Sequence, residues 1–193
     1  MIERRLKAIE GLIGNTPSYH LDAEKLSISL KLEGCNFSGS IKARPAFHIL
    51  SNGISEGYIH QDSVIVESSS GNFAIALATI CKALGISFIP VIDPYVNPAS
   101  EKLLRTLCEQ VVKVDRKDAS GGYLSTRIEM VKELVAEIPN GHWTNQYENP
   151  LNAKAHYQGT GAEICRDFDH IDYLFVSVSS CGTIAGVSKR VKE

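Results

Sequence analysis

Short runs of Val, Ile and Leu alternate with longer amphipathic stretches along most of this chain, and that alternation restricts its fold more than any other feature. ISLKLE (28–33), SVIVES (63–68), ISFIPVID (86–93), VVKVD (111–115), HWTNQ (142–146) and YLFVSVS (173–179) read as strands. KARPAFHILSNG (42–53), closed by Gly53, reads as a helix, as do NFAIALATICKALG (72–85), PASEKLLRTLCEQ (98–110) and GYLSTRIEMVKELVAEI (122–138). NPLNAKAHYQGTGAEICRDF (149–168) carries another, and TIAGVSKRVKE (183–193) closes the pattern. Strands of this kind separated by helices of that length predict an α/β fold. Its sheet would be open and mostly parallel, with helices on both faces. Gly14-Asn15-Thr16-Pro17 and Gly121-Gly122 are the clearest breaks.

Composition excludes several functions. The 193 residues include 20 Lys and Arg against 22 Asp and Glu, with no basic cluster, so nucleic acid and anionic membrane surfaces are not expected partners. No apolar run approaches bilayer-spanning length, and MIERRLKAIEGLIG lacks the long apolar stretch of a signal peptide. The cytoplasm is the expected location. Cys35, Cys81, Cys108, Cys165 and Cys181 form no C-x-x-C pair, and the histidines at 20, 48, 60, 142, 156 and 170 show no ligand spacing. No metal site is expected, and the cysteines apart from Cys181 read as reduced, buried thiols. His156 reads as structural and Trp143 as core.

In open parallel sheets, ligands bind beyond the carboxyl ends of the strands. Three junctions of that kind carry unusual polar residues. In Asn36-Phe37-Ser38-Gly39-Ser40-Ile41-Lys42, small polar residues lead to a lysine at a helix start. The positive end of the helix dipole favours a neutral amine there, the form Schiff-base chemistry requires. In Glu67-Ser68-Ser69-Ser70-Gly71-Asn72-Phe73, a strand runs into hydroxyls, a glycine and a helix, an arrangement suited to a carboxylate. In Ser179-Ser180-Cys181-Gly182-Thr183, hydroxyls and backbone amides converge at another helix start and suit a phosphate monoester. Taken singly, the first junction also reads as a solvated lysine and the second as a plain serine cap.

In this order, and with IGNTP (13–17) ahead of them, the junctions resemble those of the fold-type-II pyridoxal-phosphate enzymes, the cysteine synthase family. KARPAFHIL (42–50), GGYLSTRI (121–128) and WTNQYENPLNAKAHYQGTGAEI (143–164) are more similar to the N-(2-amino-2-carboxyethyl)-L-glutamate synthases of diaminopropionate and siderophore biosynthesis. The resemblance implies pyridoxal 5'-phosphate as cofactor, held by Lys42 as a Schiff base, with Lys42 then moving the Cα proton. It assigns Asn72 to the cofactor's ring oxygen and Ser179, Ser180, Cys181, Gly182 and Thr183 to its phosphate. Ser69, Ser70 and Gly71, assisted by Gln146, would hold the substrate α-carboxylate, while Arg127, Tyr147 and Ser179 would bear on substrate selection. The implied reaction is β-replacement on O-phospho-L-serine by the amine of L-glutamate. Small amino acids would be the substrates and the full-length form a homodimer.

Some residues depart from the pattern. Phe37 stands where relatives often have proline, and Cys181 replaces a small residue in the phosphate loop. Phe73 stands where cysteine synthases have threonine, and its ring is expected to reduce or reshape the carboxylate subsite. Relatives run well past residue 193. Residues 46–150 accordingly read as the small domain. Residues 1–45 and 151–193 read as part of a large cofactor-binding domain whose C-terminal portion is absent, leaving an exposed apolar edge and face. A cysteine synthase using sulfide, and a truncated non-catalytic remnant, are the alternatives.

Overall fold

The computed structural model describes residues 1–24 and 26–193. Helix α1 (Ile2–Glu10) leads into an antiparallel hairpin of β1 (Ser18–Ala23) and β2 (Leu26–Lys31). Helix α2 (Ala43–Ser55) follows. A four-stranded parallel sheet is then built from β3 (Val64–Ser68), β4 (Ser87–Ile92), β5 (Val112–Lys113) and β6 (Gly141–Trp143), in the order β5-β4-β3-β6. Helices α3 (Asn72–Leu84), α4 (Pro98–Leu107) and α5 (Leu124–Glu137) connect its strands. Helix α6 (Pro150–Ala155) runs through a π-helical turn (His156–Gly161) into α7 (Ala162–Asp167), and α8 (Gly182–Lys192) packs against that turn and against α6.

Strand alternation sorts the core onto two faces. Ile65, Phe88 and Ile92 face α3, where Phe73, Ala76, Leu77, Ile80 and Leu84 are buried, and α2 adds Ala46, Ile49 and Leu50 behind them. Val66 and Val91 face the other way, onto Val131 of α5 and onto Val114, which follows β5. The expected parallel sheet with helices on both faces is therefore present.

Several expected elements differ. Residues 42–53 do form a helix, but it continues to Ser55, and Gly53 lies inside it. A Cβ there would collide with the Ile59 side chain, so glycine permits close packing at that point rather than ending the helix. The strand expected at 28–33 lies two residues earlier, at Leu26–Lys31, and pairs with β1, whose mixed SYHLDA sequence gave no strand signal. The strand expected at 142–146 ends at Trp143. Residues 173–178 form no strand, and Tyr173 and Phe175 are 83 % and 91 % exposed. A strand needs a ladder partner, and neither edge of the described sheet pairs with this segment. Tyr19, Leu21, Leu26, Ile28 and Leu30 of the hairpin are likewise exposed. Cys35 and Cys165, expected inside, lie at the surface, whereas Cys81 is buried.

Candidate active site

Two residues beyond Lys42, the guanidinium of Arg44 anchors the start of α2. Its Nε and Nη2 donate to Glu33 Oε2 and Oε1, both at 2.7 Å, and its Nη1 and Nη2 donate to Glu163 Oε1 and Oε2 at 2.6 and 2.8 Å. Nη2 also reaches Thr16 Oγ1 at 3.2 Å. Lys31 Nζ adds a second cation 2.9 Å from Glu163 Oε2, and the Asn15 amide donates to Glu163 Oε1 at 2.8 Å. Arg44 is only 4 % exposed, so these bonds operate largely out of water. Burial alone would raise the Glu163 carboxyl, but hydrogen bonds from Arg44 and Lys31 pull it down to about 2. Burial would likewise lower the Arg44 pKa, and Glu163 and Glu33 together raise it instead. The Gly14-Asn15-Thr16-Pro17 segment wraps this network. Gly14 takes φ +81°, and a Cβ there would lie 2.9 Å from both Arg44 Nη1 and Glu163 Oε1.

Held in this way, Lys42 stands immediately before α2, and its Nζ points to Ser180 Oγ at 3.4 Å. Burial lowers the Lys42 pKa. Ser180 Oγ also accepts from Asn152 Nδ2 at 3.3 Å, and the same Nδ2 donates to Gln146 O at 2.7 Å. A continuous polar path thus runs from Lys42 through Ser180 and Asn152 to Gln146. Asn152 packs so closely on Gly182 that a Cβ at 182 would run into its side chain. Cys181, at the start of α8, adopts the left-handed conformation with φ 61°, which turns the loop into the helix. Thr183 Oγ1 lies 3.3 Å from His156 Nε2, and His156 Nδ1 lies 3.0 Å from Thr160 Oγ1. His156 is fully buried in the π-helical turn, and burial, with Lys42 and Arg44 nearby, lowers its pKa to about 4. The imidazole is neutral at ordinary pH and serves to orient Thr183.

The Ser-rich junction sits at the carboxyl end of β3. Ser68 and Ser69 are buried, Ser70 is half-buried, and Gly71 and Asn72 are exposed at the first turn of α3. The Phe73 ring is 2 % exposed and belongs to the core under α3. The ring therefore points into the core and does not project into the loop. Arg127, in the first turn of α5, is paired with Asp93 at 3.3 Å beyond the end of β4. Tyr147 is 46 % exposed next to Gln146. The structure links Lys42, Ser180 and Gln146 by hydrogen bonds through Asn152, and Thr183 contacts His156 separately. Among the described residues it gives the side chains of Ser69, Ser70, Asn72, Arg127 and Tyr147 no hydrogen bond to that group. Asn152, Arg44, Glu33 and Glu163 were not singled out as site residues from the sequence, because key partners lie far along the chain, 119 positions apart for Arg44 and Glu163 and 148 for Asn15 and Glu163.

Among the described residues no helix is long and apolar enough to cross a membrane, and no His, Cys, Asp and Glu group could hold a metal ion. Residues 9–193 match the family described as pyridoxal-phosphate dependent enzyme. The chain is 44 % identical over 192 residues to N-(2-amino-2-carboxyethyl)-L-glutamate synthase of Ralstonia nicotianae, covering 97 % of this chain and 57 % of that protein. It is 43 % identical over 189 residues to the enzyme of the same name from Cupriavidus metallidurans, covering 94 % and 54 %. It spans a little over half the length of these relatives. The crystal structure of a hydrogen sulfide-producing enzyme from Fusobacterium nucleatum superposes with a TM-score of 0.88 at 32 % identity, over 98 % of this chain and 58 % of that one. The chain belongs to the pyridoxal-phosphate dependent enzymes and has the fold of their fold-type-II group.

Proposed function

We propose that this chain carries the cofactor-holding machinery of a β-replacement enzyme. It would join an activated serine, O-phospho-L-serine, to the amine of L-glutamate and so make a precursor of 2,3-diaminopropionate for siderophore-type biosynthesis. The observation that supports the reading is the polar path from Lys42 through Ser180 and Asn152 to the Gln146 backbone carbonyl, which joins three segments that the resemblance assigns to cofactor and substrate. Similarity to two synthases of that name supports the choice of reaction.

The residues present fit pyridoxal phosphate. Lys42 offers a half-buried amine with a lowered pKa. Asn152 Oδ1 and Ser68 Oγ are buried polar atoms without a partner among the described residues, one at the phosphate loop and one beside the carboxylate loop. When bound, the cofactor supplies an electron sink that weakens the bonds at the Cα of the amino acid it carries.

The protein's part is to hold and orient. Lys42 Nζ would hold the cofactor covalently, and as a neutral amine it would accept the Cα proton. The amides at the start of α8, from Ser179 to Thr183, would hold the phosphate. With His156 in the Nε2–H tautomer, Thr183 accepts from the imidazole and its own O–H is left to donate to a phosphate oxygen. Asn72 would bond the cofactor's ring oxygen. Ser69, Ser70, Gly71 and Gln146 would orient the α-carboxylate, with Arg127 and Tyr147 contributing to substrate selection. The same reading takes residues 46–150 as the small domain, and the full-length form as a homodimer.

The test is an absorbance spectrum with pyridoxal phosphate, followed by phosphate release from O-phospho-L-serine. A band absent in Lys42→Ala, with release that depends on L-glutamate, is expected. Faster turnover with sulfide than with glutamate would replace this reading by cysteine synthesis. Loss of a threonine hydroxyl at Phe73 argues against that outcome.

A further inference from the structure

Glu67 is the last residue but one of β3, just before the Ser-rich loop, and is completely buried. Its carboxylate accepts four hydrogen bonds. Ser68 N (2.7 Å) and Trp143 Nε1 (3.3 Å) donate to Oε1, and Thr144 Oγ1 (2.6 Å) and Gln146 N (3.2 Å) donate to Oε2. Among the described residues no cation pairs with it. A buried anion without a counter-charge is costly, and a satisfied set of donors is what makes it tolerable.

The placement shows what the carboxylate does. The β3–β6 ladder pairs Val64, Ile65 and Val66 with Gly141, His142 and Trp143. Beyond that, a single long bond from Thr144 N to Val66 O, at 3.4 Å, continues it. There the two chains part, one into the loop 68–71 and the other into the segment 144–147. Glu67 spans the fork, with one oxygen held by the Ser68 amide and the other by the Gln146 amide. A glutamine at this position would place an NH2 group against donors on either side, so a carboxyl group fits the fork and an amide does not. Burial raises the pKa of this carboxyl above its ordinary value, and the hydrogen bonds from Thr144, Gln146, Trp143 and Ser68 offset that only in part.

We infer that Glu67 is a positioning residue whose carboxylate sets the spacing between the Ser69–Gly71 loop and Gln146, the two sides of the candidate α-carboxylate subsite. The inference rests on the proposed function for the identity of that subsite. The mechanical link between the two segments stands on the hydrogen bonds alone.

Two measurements on Glu67→Gln test it, with circular dichroism confirming the fold. Amide hydrogen exchange should rise in peptides 68–73 and 144–149 together, while β3 stays protected. The cofactor-loaded protein should then be titrated with O-phospho-L-serine and with O-phosphoethanolamine, which lacks the carboxylate. Half-saturation by the first should rise about tenfold, the equivalent of one misplaced hydrogen bond, and by the second less than about twofold. An equal rise for both ligands, or unchanged exchange in either segment, overturns the inference. A native protein that responds to neither ligand removes the substrate reading, and the exchange measurement then decides for Glu67 by itself. Should Glu67→Gln not fold, Thr144→Val removes a single donor and should move the same readouts in the same direction by a few-fold.

Discussion

Replacing Arg44 by alanine removes a side chain that joins the buried Glu163 and the half-buried Glu33 to the start of α2. Four hydrogen bonds of 2.6–2.8 Å to Glu33 and Glu163 are lost at once. Glu163 keeps Lys31, but Glu33 is left with only the neutral donors Thr16 and Asn36. Removing one partner of a buried ion pair costs about 3–5 kcal/mol, chiefly because the remaining charge stays buried. Here a loss of about 4 kcal/mol is expected, a large part of the ~5–15 kcal/mol that stabilises a typical domain. In a chain of this size that corresponds to a fall in Tm of roughly 10 °C. Urea denaturation followed by circular dichroism measures the loss directly. Arg44→Lys keeps a charge but cannot form both planar forks, and should lose about half as much. The double-mutant cycle with Glu163→Gln should give a coupling of about 2 kcal/mol. A loss below about 1 kcal/mol, the range of exposed ion pairs, would refute the reasoning, because it would mean that water already screens the network.

The same network sets acid stability. The Glu163 carboxyl falls from 4.5 to about 2 on folding, so its contribution is complete above pH 4.5 and is lost as the pH falls from there towards 2. Glu33 shifts in the same direction, and Glu163→Gln should flatten that part of a stability–pH curve. Gly186 sets the approach of α8 to α6, since a Cβ there would run into Ala153 O and lie 2.7 Å from Tyr157 N. Gly186→Ala should destabilise by about 2 kcal/mol or more in a thermal melt, and an unchanged Tm would show that the two helices can separate freely.

The sheet was legible because β-branched runs and helical periodicity are local signals. SVIVES and ISFIPVID lie within a residue of β3 and β4, and the hydroxyl-rich stretches 68–70 and 179–183 fall where α3 and α8 begin. Residues 173–179 carry an equally strong strand signal and form none, because strand formation also needs a neighbour. The π-helical turn was not legible, since HYQGTG fits the surrounding helical pattern and the turn is set by packing against α8. In the candidate site, Lys42 and Ser180 were recognisable from their junctions. Glu67, Asn152 and the Glu33–Arg44–Glu163 network were not. A buried carboxylate looks the same as an exposed one in a sequence, and only the fold shows which donors surround it.

The Lys42–Ser180 contact bears on when such a site can exist. Its two residues lie 138 positions apart, whereas β3 and β4 pair Val64 with Ser87. Loop closure favours the nearer pairing, so the sheet can form well before the lysine meets its serine. During synthesis the ribosome takes on the order of ten seconds to travel from one residue to the other. Throughout that interval Lys42 has no Ser180 to meet, so the contact between them is timed by translation and follows the folding of the sheet.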